Sequence, residues 1–414
     1  MQIPENNSHI NGTRAARSVT GLRLIGEVLH WDSAGDGVVY YLTDTQYNVT
    51  STKHTSFDMT KHNLIIGVCA EGGATESDIP YLCGKGMESE PYEIKTPFDL
   101  RAVDYYELLA SERGVHNYYR IVNDLDYDSV GALDGESNLF TLKKPFCGTL
   151  DGCGKKLTNI NVVYDGGYFA LFDFVSKGAT VKNLKLVCPV ISNRLQAAGC
   201  PLNASVAAVC DRNYGEISGI TVTGARFTAS GGEISGIATH NFGTVRDCVV
   251  DGIFVQECTG LTAQACYEAA GIVTENCKGG VVKNCSLRRL EIRGSLCTGA
   301  DGGSYRNVRT AGGIVAVNRA GGIVNGCGYE TLVLTDMLNN ANGFNGGYEW
   351  GGIVAYNAGT IECRNDLAGV MTFNGVPVKK HIGADGGPSD DQRGITVGKN
   401  EGSVCCKRAN GEEA

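Results

Sequence analysis

No apolar run in this 414-residue chain approaches the ~20 residues a bilayer requires, so no transmembrane helix is expected. Residues 1–25 hold no apolar signal segment and begin Met1-Gln-Ile-Pro-Glu. Basic residues form no stripe, and with a net charge of −9 nucleic acid is not an expected partner. The 17 cysteines include no C-x-x-C pair and the 7 histidines are scattered, which argues against a zinc cluster. Nucleophile-elbow, P-loop and H-E-x-x-H motifs are all missing. Proline is scarce, at 9 against 57 glycines, a composition suited to many tight turns.

The chain does contain a repeat. An aliphatic residue, any residue, then Asn, Asp or Gly, then Cys, Ile or Leu recurs six times, at Leu157-x-Asn159-Ile160, Val181-x-Asn183-Leu184, Ile217-x-Gly219-Ile220, Val245-x-Asp247-Cys248, Val282-x-Asn284-Cys285 and Val324-x-Gly326-Cys327. Shortened echoes follow at Ile361-x-Cys363 and Val404-x-Cys406. Upstream of the later copies lies a second phrase: Gly236-Ile-Ala-Thr-His-Asn241, Gly271-Ile-Val-Thr-Glu-Asn276, Gly313-Ile-Val-Ala-Val-Asn318 and Gly352-Ile-Val-Ala-Tyr-Asn357. Gly394-Ile-Thr-Val-Gly-Lys-Asn400 is a longer copy and Val206-Ala-Ala-Val-Cys-Asp-Arg-Asn213 a blurred one. Short β-branched runs closed by Asn or Gly read as strand, turn, strand, and repetition at tens of residues reads as a solenoid.

The middle residue of the first phrase belongs in every full copy to a type that accepts positive φ. A left-handed bend there turns both flanking apolar side chains inward, so the phrase predicts a stacked corner. The Asn of the second phrase is read the same way, as a turn residue. Cys248, Cys285, Cys327, Cys363 and Cys406 take the inward place that Ile160, Leu184 and Ile220 hold elsewhere. They are expected to be free thiols acting as small hydrophobes. Together these readings predict an all-β parallel β-helix with rungs about 4.8 Å apart.

These phrases resemble the GLUG motif of bacterial surface proteins, which also occurs beside bacterial immunoglobulin A peptidase domains. The resemblance extends upstream through Tyr92-Glu-Ile-Lys-Thr-Pro-Phe-Asp-Leu100, Tyr118–Asp126, Phe146–Leu157 and Leu171–Val181, covering about residues 90–408. It implies a right-handed parallel β-helix of the adhesin type, extracellular or at the cell surface, with a leader absent from this numbering. A cytosolic protein is the alternative. The motif is structural and carries no catalytic residue to transfer. Cys153 departs from it, standing where Asn or Gly is commoner.

Residues 1–17 are expected to be a disordered tail, 18–88 a small β-sandwich-like domain, 91–114 a linker and capping helix, 115–408 the β-helix and 409–414 a tail. In the helix Thr96 is the cap, Pro97 suits the first turn, and Asp99 lies three residues after the cap. Leu100, Val103, Tyr106 and Leu108 form its apolar side and Gly114 ends it. A helix at this point would cover the open first rung, whose unpaired backbone groups invite aggregation.

Three chemistries compete for the surface. Asp124, Asp126 and Asp128 are oxygen ligands of the kind calcium takes, although the Gly and terminal Glu of a calcium loop are missing. Glycan cleavage, by a lyase or hydrolase, needs two carboxylates about 5–10 Å apart over a groove, and no motif specifies such a pair. The insertions at 258–268, 296–310, 337–349 and 381–393 all precede the second phrase, so their loops are expected to stack on one side. The surface they form is expected to hold the candidate ligand-binding residues Tyr305, Arg306, Asn345, Tyr348, Glu349, Trp350, Asp385, Asp391 and Arg393, with Tyr267, Asp301, Phe344 and Asp390 beside them. Aromatics mixed with carboxylates and amides suit a glycan or a host surface protein. The expectation is therefore a binding protein without cofactor or catalytic residues, with an enzyme and a structural spacer as alternatives.

Overall fold

The computed structural model describes residues 19–407 apart from 20, 26–27, 45–48, 59–64, 71–81, 131–141, 143–144, 165–167, 194–204, 231, 258–266, 295, 299–303, 307, 337–348, 365–368, 380–381, 383–392 and 395. The terminal segments 1–17 and 409–414 thus lie outside the described residues. No described helix is long and apolar enough to cross a membrane.

The chain is a parallel β-helix. Each full rung visits four stacked sheets, here called A, B, C and D in the order the chain meets them. Sheet A has ten strands, running from Tyr92–Ile94 through Thr180–Lys182 and Val281–Lys283 to Ser403–Lys407. Sheet B has eleven strands, nine of them on its main path from Leu125–Asp126 to Val376–Pro377. Sheets C and D have seven each, from Tyr168–Phe169 to Arg393–Gly394 and from Phe172–Val175 to Val397–Asn400. Rung-to-rung pairing is parallel throughout A, C and D, and one core cluster runs up the stack through Leu150, Val181, Ile217, Val245, Val282, Val324 and Ile361.

The first repeated phrase makes the corner between sheets A and B. Asn183, Gly219, Asp247, Asn284 and Gly326 all have φ between 52° and 63°. Their aliphatic partners Val181, Ile217, Val245, Val282 and Val324 stand in one register. The first copy is an exception. Asn159 is left-handed, at φ 57°, yet Leu157 pairs with Leu125 and Leu186 in sheet B. The true neighbour of Val181 is Leu150, so Leu157-x-Asn159-Ile160 marks a different bend with the same local chemistry. In the two shortened echoes no corner forms. Without the left-handed residue the sheet A strand runs on, as Thr360–Arg364 and Ser403–Lys407, with Cys363 opposite Cys406.

The Asn of the second phrase does more than turn the chain, although Asn213 and Asn357 do accept the amide two residues on in the bend. None of Asn213, Asn241, Asn276, Asn318, Asn357 and Asn400 has positive φ. Each of the first five donates its side-chain amide to the Oδ1 of the next, at 2.8, 2.9, 2.8, 2.7 and 2.7 Å. Those five are completely buried. Further N–H bonds reach backbone carbonyls at the start of sheet A in the following rung, such as Val281 and Thr360. A buried amide is tolerable only when satisfied, and a ladder of identical amides gives each inner member both a donor and an acceptor.

Cys248, Cys285 and Cys327 are buried free thiols on the inner side of the A–B corner, as expected of small hydrophobes. The side chains of Cys363 and Cys406 lie outside the described residues.

At the N-terminal end, six antiparallel strands form two three-stranded sheets: Arg23–Ile25, Val28–His30 and Ser56–Asp58; and Tyr40–Asp44, Val49–Thr52 and Ile65–Ala70. Tyr92–Ile94 already belongs to sheet A, so the stack begins before the helix rather than at 115. The helix spans Pro97–Arg113, with a complete capping box between Thr96 and Asp99 and a left-handed Gly114 closing it. Leu100 and Val103 are buried in the core, while the Leu108 side chain lies outside the described residues. Glu107 fastens the helix to the first rungs, accepting hydrogen bonds from Tyr119 Oη at 2.7 Å and the Cys147 and Gly148 amides. Burial pushes its carboxyl above the usual range despite those donors.

Candidate functional site

The four insertions leave the stack at one place. Each follows a sheet B strand and re-enters through a sheet C strand: Tyr267–Ala270, Val308–Gly312, Glu349–Gly351 or Arg393–Gly394. These re-entry strands are in register, Tyr267 opposite Val308, Thr310 opposite Glu349, and Trp350 opposite Arg393. The loops are therefore anchored one above another at rung spacing. Within the second insertion Leu296–Thr298 and Ser304–Arg306 pair as an antiparallel hairpin, which places Tyr305 and Arg306 on its returning strand. The side chains of Tyr267, Tyr305, Arg306 and Arg393 lie outside the described residues. So do Asp301, Phe344, Asn345, Tyr348, Asp385, Asp390 and Asp391 altogether.

Two predicted ligand-binding residues must be reassigned. Trp350 is completely buried and packs its ring 4.6 Å from Phe373, while Glu349 is 8% exposed and accepts a hydrogen bond from Thr310. The alternation of a strand explains this, because Trp350 takes the inward place that Ile234, Ala269 and Ala311 fill in lower rungs. Both residues build the wall beneath the loops.

Two of the three calcium candidates take part in turn bonds, while Asp128 lies exposed. Asp124 accepts the Lys156 amide at 2.9 Å, and Asp126 accepts the Asp128 amide at 3.0 Å and the Asn159 side chain at 2.8 Å. The Asn159 amide and the Asp128 backbone hold the Asp126 carboxyl below the usual carboxylate range. These are turn bonds within and between rungs.

Sequence reasoning missed a polar cluster where sheets C and D lie against each other. Ala270, Ala316 and Val317 form a small apolar cluster there, with Tyr356 packed on it, separate from the main core. Charged residues border it. Glu233 and Glu268 come from the start of sheet C strands; Asp211, His240 and Glu275 come from sheet D. One ligand atom each from Glu233, His240 and Glu275 lie within 4.8 Å of one another. His240 Nδ1 is 3.7 Å from Glu233 Oε2, and Arg319 grips both oxygens of Glu275, at 2.9 and 3.2 Å.

The charges are unevenly balanced. Glu233 keeps 22% of its side chain exposed, but its Oε2 is shut off from solvent and has no hydrogen-bond partner among the described residues. Burial, then the carboxylates of Glu268, Glu275 and Asp211, push its carboxyl up to about 8. Burial works in the same direction on Glu275, yet the Arg319 pair outweighs it and holds that group low. Cys277 beside it is pushed up to about 12 by burial and by Glu275. Glycosidic acid–base work would need both carboxylates turned toward a substrate. Here Arg319 lies on one and the inner oxygen of the other is enclosed.

A signal for this row does exist in the sequence. Glu233, Glu268 and Glu349 each lie three residues before the glycine of a second phrase, at Gly236, Gly271 and Gly352. An aromatic column runs through the lower rungs, near where sheet D bends into sheet A. Phe174, Tyr214 and Phe242 have ring centroids 4.9 and 4.5 Å apart, the second pair almost parallel at 2°. Tyr214 remains exposed.

Compared with known proteins, the sequence matches no family model and no curated protein. Among solved structures it is similar to a "putative immunoglobulin A1 protease" from Bacteroides ovatus. The identity is 16% over 82% of this chain and 89% of that one, with a TM-score of 0.43.

Proposed function

We propose that this chain is an adhesin-like binding protein of a bacterial surface or secretion, which recognises a glycan along one side of its β-helix. The observation that carries the reading is the register of the re-entry strands, which anchors four successive insertions at one corner. A loop is free to vary when its ends are fixed, and four such loops on a rigid stack make one extended surface. The aromatics, amides and carboxylates that the insertions carry suit a glycan in particular, since a sugar offers both apolar C–H faces and hydroxyls.

The test is a glycan array, printed also with mucosal glycoproteins, probed with the full chain and four variants. Tyr305→Ala, Arg306→Ala and Tyr348→Ala are expected to weaken binding at least ~10-fold if the loops read the ligand. Tyr214→Ala does so if the aromatic column takes part. An array that stays blank at high protein concentration sinks the reading, and selective binding to unglycosylated protein replaces the glycan with a polypeptide partner.

A further inference from the structure

We propose that Glu233, His240 and Glu275 form a binding site for a divalent first-row transition cation of the manganese, cobalt or zinc type. The three side chains come from two successive rungs, two from sheet D strands and one from the residue leading into a sheet C strand. His240 and Glu275 are register partners on adjacent strands of sheet D. Glu233 reaches them from sheet C, just before Ile234–Ser235. Their ligand atoms already lie within 4.8 Å of one another, so modest side-chain rotation closes them on one ion.

Two independent features call for a cation. The enclosed Oε2 of Glu233 has no hydrogen-bond donor among the described residues, His240 Nδ1 standing 3.7 Å away, and a buried acceptor left so is costly. A metal ion supplies that partner. The surrounding charge is also unbalanced: Glu268, Glu275 and Asp211 all act on Glu233, against Arg212 on Asp211 and Arg319 on Glu275. Arg319 has a second use, since a ligating carboxylate needs an outer partner to fix its orientation. One imidazole nitrogen with two carboxylates favours ions that accept nitrogen over calcium and magnesium, which take oxygen ligands.

The experiment uses the full chain without any glycan, so its outcome is separate from that of the binding reading. Manganese and cobalt are the probes, because the exposed thiols of Cys83, Cys153 and Cys188 would take up zinc adventitiously. Calorimetry is expected to show one manganese per chain. His240→Ala and Glu233→Gln should each weaken it at least ~10-fold, while Asp126→Asn, in the distant turn, leaves it unchanged. Cobalt should show d–d bands without a thiolate charge-transfer band. Thermal unfolding in chelator checks that each variant folds, and His240→Gln replaces His240→Ala if it does not. The proposal is overturned if the wild type binds neither ion at millimolar concentration. It also fails if folded histidine variants bind as tightly, or if a thiolate band places cobalt on Cys277.

Discussion

Two corners of the same rungs follow opposite rules. Where sheet D turns into sheet A, the chain places an asparagine in six rungs and joins five of them to the next by an amide bond of 2.7–2.9 Å. Where sheet B passes into sheet C, successive rungs insert segments of different length and composition, although the strands that receive them stay in register. The first corner is fixed because each residue there is both donor and acceptor to its neighbours, so one change disturbs two rungs. The second is free because only its anchors are paired. One backbone thus separates the part that must repeat from the part that can specialise.

The sharpest way to break this contrast is at the wall beneath the loops. Trp350 borders the variable corner but is completely buried against Phe373. Trp350→Ala should therefore cost about 4 kcal/mol of stability in chemical denaturation, as large-to-small changes of a core aromatic do. A variant as stable as wild type would move Trp350 from core to ligand surface and blur the boundary between the corners.

Next in size is the amide ladder. Asn276→Ala removes the acceptor of Asn241 and the donor to Asn318, leaving two buried amides short of a partner. A loss of about 3 kcal/mol is expected, since each orphaned polar group costs about 1–3 kcal/mol. Asn284→Ala tests the A–B corner, where φ is 52°. It should cost about 1 kcal/mol, and Asn284→Gly much less, because the strain lies in the backbone conformation. Equal costs for the two asparagines would mean that the ladder is no more than another set of turns.

Those two asparagines also show what was legible in the sequence. Asn284 and Asn276 are the same residue type, each closing a short apolar run, and both invite a left-handed reading. Only Asn284 adopts it. The other use of asparagine, as a two-ended hydrogen-bonding unit, appears only when rungs are stacked and the amides brought within 3 Å. The same limit misplaced Leu157, whose phrase has the right local pattern at a different bend. It also hid the cluster of Glu233, His240 and Glu275, which are up to 42 residues apart in sequence and meet only through the register of sheet D and the contact with sheet C. The corners and the core thiols were legible because a single residue decides them. The site was not, because its geometry belongs to the stack.

The smallest effect on stability is expected where the proposed function lies. Replacing 337–348 with a short Gly-Ser turn leaves the Gly328–Thr335 and Glu349–Gly351 strands and their pairing untouched. Shortening a loop between fixed ends changes the closure entropy only with the logarithm of its length, so folding stability should shift by no more than about 0.5 kcal/mol. Binding measured on the same variant should fall at least ~10-fold if Tyr348 and its neighbours contact the ligand. A large loss of stability together with binding would show that the insertion holds the B–C corner closed. The two corners would then differ in sequence but not in duty, and the division between repeating scaffold and variable surface would have to be drawn elsewhere on the rung.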